Sequence, residues 1–305
     1  MKSMVLASTQ SNPTLTPPIF PGAAELRHRA SLARASLSAC NWCEHRCGAN
    51  RLAGEHGPCG VSAETYSFKR HVSFAEELEL LPSFMVYFAG CNFRCAFCVQ
   101  APVCFDPARG APVDAAALTT ELLGQVARGA RTINLLGGEP SIHLHTILEI
   151  AAHAAERGTR LPLVLNSNMY LTPHALALLD GVVDIYLADF KFGNDACASR
   201  IAKVANYTAV LQRNLLDIHN RALGTLMVRH LLMPGHFDCC FAPVVHWLAS
   251  QLPAVRFNLM TSYLPAWQTA RRNQSGDSLA GVCDPREIDR AVALVRTLGL
   301  RQEAP

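Results

Sequence analysis

No stretch of this 305-residue chain approaches the roughly 20 consecutive apolar residues needed to span a bilayer. Near its start, SNPTLTPPIFPG is polar and Pro-rich where an export signal would carry an apolar core. A soluble, cytoplasmic protein with no membrane partner is therefore expected. The chain also lacks a charge excess: 27 Lys and Arg stand against 24 Asp and Glu, a formal net charge of +3 scattered along the sequence. That is too little to argue for capture of nucleic acid or of an anionic membrane, so no nucleic-acid partner is expected. A Ser/His/Asp order, a paired-carboxylate motif and a GxxxxGKS/T phosphate loop are missing too, and none of those chemistries has a carrier here.

Cysteine, by contrast, is plentiful. A chain of this length, half of it hydrophobic, can bury a core as one large domain with a small attachment and does not need disulfide staples. Its twelve cysteines are therefore read first as metal ligands where they cluster. Four lie within 20 residues as C-x2-C-x3-C-x11-C: Cys40, Cys43, Cys47 and Cys59. Three follow as C-x3-C-x2-C: Cys91, Cys95 and Cys98. The remaining five, Cys104, Cys197, Cys239, Cys240 and Cys283, show no ligand-like grouping and are expected to be small buried hydrophobes.

Residues 1–24, rich in Ser, Thr and Pro, are expected to form a flexible arm. Residues 25–81 are expected to form a Cys-rich module: a short helix over 25–38, then loop whose apolar content is too low for a core of its own. From Phe84 onward, apolar runs alternate with helical patterns: FMVYFA, TINLLG, LPLVLNS, VDIYLADF, TLMVRHLLM and VRFNLM. The alternation predicts an α/β fold with a parallel sheet covered by helices over 82–265, followed by a loop and helix over 266–305 that pack on it. Six strands are too few for a closed eight-stranded barrel, so a partial (β/α)6 barrel is expected.

Active sites in such sheets gather at the carboxyl ends of the strands. Read there, the sequence offers the cysteine triplet, then GGEP (137–140), Asn166-Ser167-Asn168, Asp189-Phe190-Lys191, and Arg229 beside His230. Three thiolates on one loop can hold three irons of a [4Fe–4S] cluster and leave the fourth iron open; the alternative is a three-cysteine zinc site completed by a His. Taken alone, GGEP would be a strand-to-helix turn with Pro at the first helical position.

The triplet CNFRCAFC, with an aromatic before its last cysteine, followed by GGEP after the next strand, resembles the radical S-adenosylmethionine (SAM) superfamily. The resemblance implies a partial barrel of the radical SAM type. It implies that Cys91, Cys95 and Cys98 hold a [4Fe–4S] cluster, and that SAM chelates the open iron and is cleaved reductively to a 5′-deoxyadenosyl radical that abstracts hydrogen. It places Phe97 beside adenine and Gly137, Gly138 and Glu139 at the methionine amino group. The segments NSNMYLT, DIYLADFK, VRHLLMPG and CGANRLAGEHGPCG look like those of glycyl radical enzyme activating enzymes, in particular relatives of pyruvate formate-lyase activating enzyme, over roughly residues 40–265. On that likeness Asn166, Asn168, Asp189, Lys191 and Arg229 become candidate ligands of SAM, Asp189 also of a monovalent cation. Strand-end turn chemistry competes for the asparagines and a surface ion pair for Asp189 with Lys191.

The amino-terminal quartet suffices for a second Fe–S cluster or for zinc, since thiolates suit both; His45 and His56 lie within the module but are not needed. In the activating enzyme the triplet stands alone, so the quartet is a departure from that pattern. Tyr263, Trp267, Arg271 and Arg272 give the late loop an aromatic and basic character, suited to covering the barrel mouth or to a partner. The expectation is a monomeric oxidoreductase served by a reductant such as flavodoxin or ferredoxin, acting on a protein or peptide as a glycyl radical enzyme activase. Radical SAM modification of a peptide, RNA or small molecule is the alternative. The non-enzymatic reading is an Fe–S electron carrier or zinc-braced interaction module.

Overall fold

The computed structural model describes residues 19–75, 77–271 and 278–302. Among the described residues, nine strands form one sheet: β1 (Tyr66–Ser73), β2 (Ser83–Phe88), β3 (Ala111–Pro112), β4 (Thr132–Gly137), β5 (Leu163–Ser167), β6 (Ile185–Asp189), β7 (Thr225–Leu231), β8 (Arg256–Met260) and β9 (Arg301–Gln302). Their order is β3-β1-β2-β4-β5-β6-β7-β8-β9. All six expected strands are present and run parallel from β2 through β8. The sheet is thus the open, partial barrel that six apolar runs predict. Strands β2 and β5 are buried along their whole length, which is why they read as unbroken apolar runs.

Two edges close differently from the expectation. Strand β1, in the stretch read as loop, pairs antiparallel with β2, and β3 pairs antiparallel with β1. At the far edge the two-residue β9 adds parallel to β8. The first helix spans Ala23–Ala35, starting two residues earlier than expected and inside the segment read as an arm; residues 1–18 of that arm lie outside the described residues. Its Leu26, Ala30 and Ala33, spaced on one helical face, are buried as part of the main core. Leu37, Cys40 and Trp42 join the same core, so the Cys-rich segment obtains its burial by sharing the barrel's.

Three of the helix starts carry a side-chain cap of the same kind. Asp114, Thr172 and Asn194 each accept from the N–H three residues on, and Pro173 occupies the first turn after Thr172. Each such cap contributes about 1 kcal/mol. These caps fix where the strand-to-helix loops end, and therefore where the rim residues point.

Candidate active site at the carboxyl ends of the strands

The loop after β2 crosses the carboxyl ends of the strands and is fastened by backbone hydrogen bonds to distant segments. Cys91 N–H donates to the Cys59 carbonyl (3.1 Å), Arg94 N–H to Ala202 (2.9 Å) and Ala96 N–H to Ile201 (2.9 Å). The Ala96 carbonyl accepts from Gln268 and Thr269 N–H (3.1 and 3.2 Å). Beneath the loop lies a cavity of about 410 Å³, the size of an ordinary small-molecule site. Cys91, Cys95, Phe97 and Cys98 border it from the loop, and Gly137, Gly138 and Glu139 from the end of β4. Asn166, Asn168, Asp189, Lys191 and Arg229 border it from β5, β6 and β7. Folding thus gathers on one cavity the triplet and all the SAM-site candidates read from separate strand ends.

The glycines of GGEP are required by backbone packing. A Cβ on Gly137, which has φ +117°, would meet the Phe88 backbone at 2.5 Å, and one on Gly138 would meet the Gly90 carbonyl at 1.9 Å. Gly138 N–H donates to the Phe88 carbonyl and Glu139 N–H to Gly90, so GGEP is laced to the root of the cysteine loop. The Glu139 carboxylate, 1% exposed, accepts from Ser141 N–H (3.0 Å), Ser167 Oγ (2.7 Å) and Asn168 N–H (2.9 Å). Burial raises its pKa and these donors oppose the rise. Asn168 Nδ2 in turn donates to Asn92 Oδ1 (2.7 Å), within the cysteine loop.

Asp189 and Arg229 are register partners on β6 and β7, so their side chains share a face. Asp189 Oδ1 accepts from Arg229 Nε (3.0 Å) and Oδ2 from Lys191 Nζ (2.6 Å); a second Arg229 nitrogen donates to Asn166 Oδ1 (2.5 Å). His230, the neighbour that faces the other way, is buried and donates from Nδ1 to the Phe190 carbonyl. Burial works to raise the Asp189 carboxyl, but Arg229 and Lys191 outweigh it and hold it down at about 2. A depressed carboxyl stabilises the fold above its ordinary range and loses that contribution as pH falls through the folded value. Urea unfolding of the metal-free chain should therefore show Asp189→Asn less stable than wild type by on the order of 2 kcal/mol near pH 5, with the gap closing toward pH 2. A gap independent of pH would remove the ion pair as its cause.

Burial pushes the Cys91 thiol well up, with Glu139 adding to it. It also takes Cys95 up to about 12 against the pull of Lys191. Cys98 is held down at about 6, first by its hydrogen bond with Cys104, whose Sγ lies 3.7 Å away. Three thiols on one loop, opening onto a cavity, fit a cluster that takes three protein ligands, and loading it must expel the Cys91 and Cys95 protons. In the quartet, burial takes Cys43 up to about 12 with Cys59 and Cys40 adding, and raises Cys59 with Cys40 and Cys47 adding. The Arg51 guanidinium, 1% exposed, lies 3.8 Å from Cys40 Sγ while donating to the Ser62 and Ile142 carbonyls. A buried cation there suits an anionic four-thiolate site. His45 donates to the Asn92 carbonyl and His56 is exposed.

The late loop packs against this site. Tyr263 is 2% exposed, meets Phe97 edge-to-face at 5.9 Å and donates to the Leu279 carbonyl (2.8 Å). Trp267 packs on Phe105, Arg271 is exposed, and Arg272 lies outside the described residues. The reading of the five remaining cysteines as ungrouped needs correction. Cys104 neighbours Cys98, and Cys197 and Cys239, 42 positions apart, approach to 3.9 Å between sulfurs. Cys240 is fully buried, as expected, but Cys239 is partly exposed. Only the fold brings such distant positions together, and no local spacing signals it.

The chain is similar to several known proteins. The chain is 35% identical over 246 residues to the uncharacterized protein MJ0674 of Methanocaldococcus jannaschii, covering 79% of this chain and 70% of that one. Among solved structures, Streptococcus suis SuiB bound to precursor peptide SuiA has a TM-score of 0.48 at 10% identity, covering 68% of this chain and 44% of SuiB. The chain therefore spans less than half of SuiB's length. A domain of pyruvate-formate lyase-activating enzyme from Bacteroides vulgatus has a TM-score of 0.42 at 15% identity, covering 56% of this chain and 96% of the domain. The family model of the Radical SAM superfamily matches residues 85–248, from β2 to the helix after β7. More than half of the chain is thus accounted for, and it belongs to the radical SAM superfamily, whose members are enzymes built around an iron–sulfur cluster and SAM.

Proposed function

We propose that the chain is a radical SAM oxidoreductase that acts on a protein or peptide, with installation of a glycyl radical on a partner enzyme as its specific reaction. The observation that carries this reading is the three-cysteine loop opening onto a cavity ringed by strand-end polar groups: three thiolates leave one iron for a ligand from that cavity. Val99 and Leu264, 73% and 67% exposed, sit on the cavity's border and offer an apolar lip to a peptide segment.

Cys91, Cys95 and Cys98 hold the cluster in this reading. Phe97, fixed by Tyr263, lies against adenine. The Gly137 and Gly138 backbone and Glu139 receive the methionine ammonium, and Arg229 its carboxylate, with Asn166 and Asn168 orienting both. Asp189 is the carboxylate open to a monovalent cation, which would displace Lys191 or Arg229 from it. When bound, the cluster and SAM supply the electron and the carbon-centred radical that removes hydrogen. The chain's own part is to hold these groups at fixed distance and to keep water and oxygen out.

The quartet is assigned a second Fe–S cluster that relays electrons from flavodoxin or ferredoxin. The direct bond from Cys91 N–H to the Cys59 carbonyl places the two cysteine sets side by side. Anaerobically reconstituted protein should hold about eight irons per chain by metal analysis and Mössbauer spectroscopy. About four irons with about one zinc would instead make the quartet a brace. Cys43→Ala should retain SAM cleavage with slower turnover or lower stability; a folded variant without cleavage would erase the division of roles. For the substrate, a glycyl radical EPR doublet on an added partner enzyme supports the activase reading. Cleavage of SAM with a mass change only on an added peptide points to peptide modification.

A further inference from the structure

Beyond the residues that border the cavity, two segments leaving neighbouring strands meet at the same rim. Helix Asp195–Ala202, after β6, carries Cys197, while His236 and Cys239 lie in the turn and π-helical stretch Phe237–Phe241 after β7. The two Sγ atoms and a ring nitrogen of His236 all lie within 4.8 Å of one another. Cys197 and His236 are 8% and 4% exposed, and Cys239 reaches solvent.

The surroundings prepare these three groups as ligands. His236 Nδ1 is 3.0 Å from the Pro234 carbonyl, which can only accept, so the proton sits on Nδ1 and Nε2 keeps its lone pair. A backbone carbonyl holding the distal N–H is the usual way to aim a metal-ligating imidazole. Asn194 ties the segments together, accepting from Cys197 N–H (2.8 Å) and donating to the Cys239 carbonyl (2.6 Å). The sulfurs are 3.9 Å apart. Two thiolates on one tetrahedral zinc, each at about 2.3 Å, stand about 3.8 Å apart, whereas a disulfide requires about 2 Å. Thiolates with imidazole select a borderline-soft ion over calcium or magnesium. In this structure Arg200, an exposed residue, donates to Nε2 from 3.1 Å and has to swing aside for a metal to bind there.

We propose that Cys197, His236 through Nε2, and Cys239 bind a zinc ion whose fourth position lies on the solvent side. The ion fastens the helix whose Ile201 and Ala202 carbonyls hold the cluster-bearing loop. The proposal is independent of which metal occupies the quartet.

The test compares the full-length chain, loaded anaerobically with iron and sulfide and equilibrated with zinc, with Cys239→Ser and His236→Ala. Wild type should carry one more zinc per chain than either variant at equal iron, and its zinc X-ray absorption should show nitrogen together with sulfur. Equal zinc in all three, or a shell of sulfur alone, overturns the site. Should the variants fail to fold, the unaltered protein decides. Zinc should slow alkylation of Cys239 at least tenfold and a chelator should restore it; an unchanged rate overturns the proposal. Arg200→Ala should bind zinc at least as tightly as wild type. A tenfold loss would mean that the Arg200–His236 bond, rather than a metal, is what this geometry serves.

Discussion

Cys95→Ala protein, reconstituted anaerobically, is expected to bind about four fewer irons per chain than wild type and to form no 5′-deoxyadenosine with reductant and SAM. Cys95 is the middle cysteine of the triplet, buried and held by a loop whose neighbouring Ala96 is fixed on both sides by backbone bonds. Its loss leaves two thiols where three are needed, and no other cysteine on the loop can move into its place without breaking those bonds. Cys104, a nearby thiol, already partners Cys98, and its carbonyl holds Gly90. Alanine fits the space that cysteine fills, so folding should persist and the loss is chemical. Cleavage retained by a variant that still loads a reducible cluster would move the site elsewhere.

Gly138→Ala is expected to destabilise the chain by roughly 3 kcal/mol or more, at the upper end of over-packing costs, because the new methyl collides with backbone. At 1.9 Å from the Gly90 carbonyl, the Cβ cannot be accommodated by a rotamer change; the root of the cysteine loop must move instead. Gly124→Ala is the control. Gly124 lies inside helix Ala115–Ala127, where a Cβ meets only the end of the flexible Arg128 side chain at 3.4 Å. That change should stabilise by about 1 kcal/mol through helix propensity. Chemical unfolding of the two variants separates the readings: similar stabilities would mean that GGEP has room to spare.

The sheet was largely legible because parallel strands covered on both faces are written as apolar runs, and six such runs gave six strands. Strand β1 escaped for the converse reason. YSFKRHVS is mostly half-exposed, so its polar residues and its position among the cysteines made it read as loop. The two-residue strands β3 and β9 are below the length at which periodicity exists. At the cavity, residue types at strand ends were readable, but their partners were not. That Glu139 braces Ser167 and Asn168, or that Asp189 carries two cations, depends on register between strands. The Cys197, His236 and Cys239 grouping depends on two helices meeting, which no spacing in one dimension records.

The fastening of the cysteine loop also sets an order of events. Its backbone is tied to residue 59 on one side, to residues 201 and 202 on another and to residues 268 and 269 on a third. Contacts so far apart in sequence form late, after the loops between them have closed. A ribosome-bound chain that has emerged only as far as Cys98 holds all seven cysteines of the two motifs and none of the later anchors. The cysteine loop therefore reaches its final, fully fastened form only once the chain through Thr269 has been made and folded.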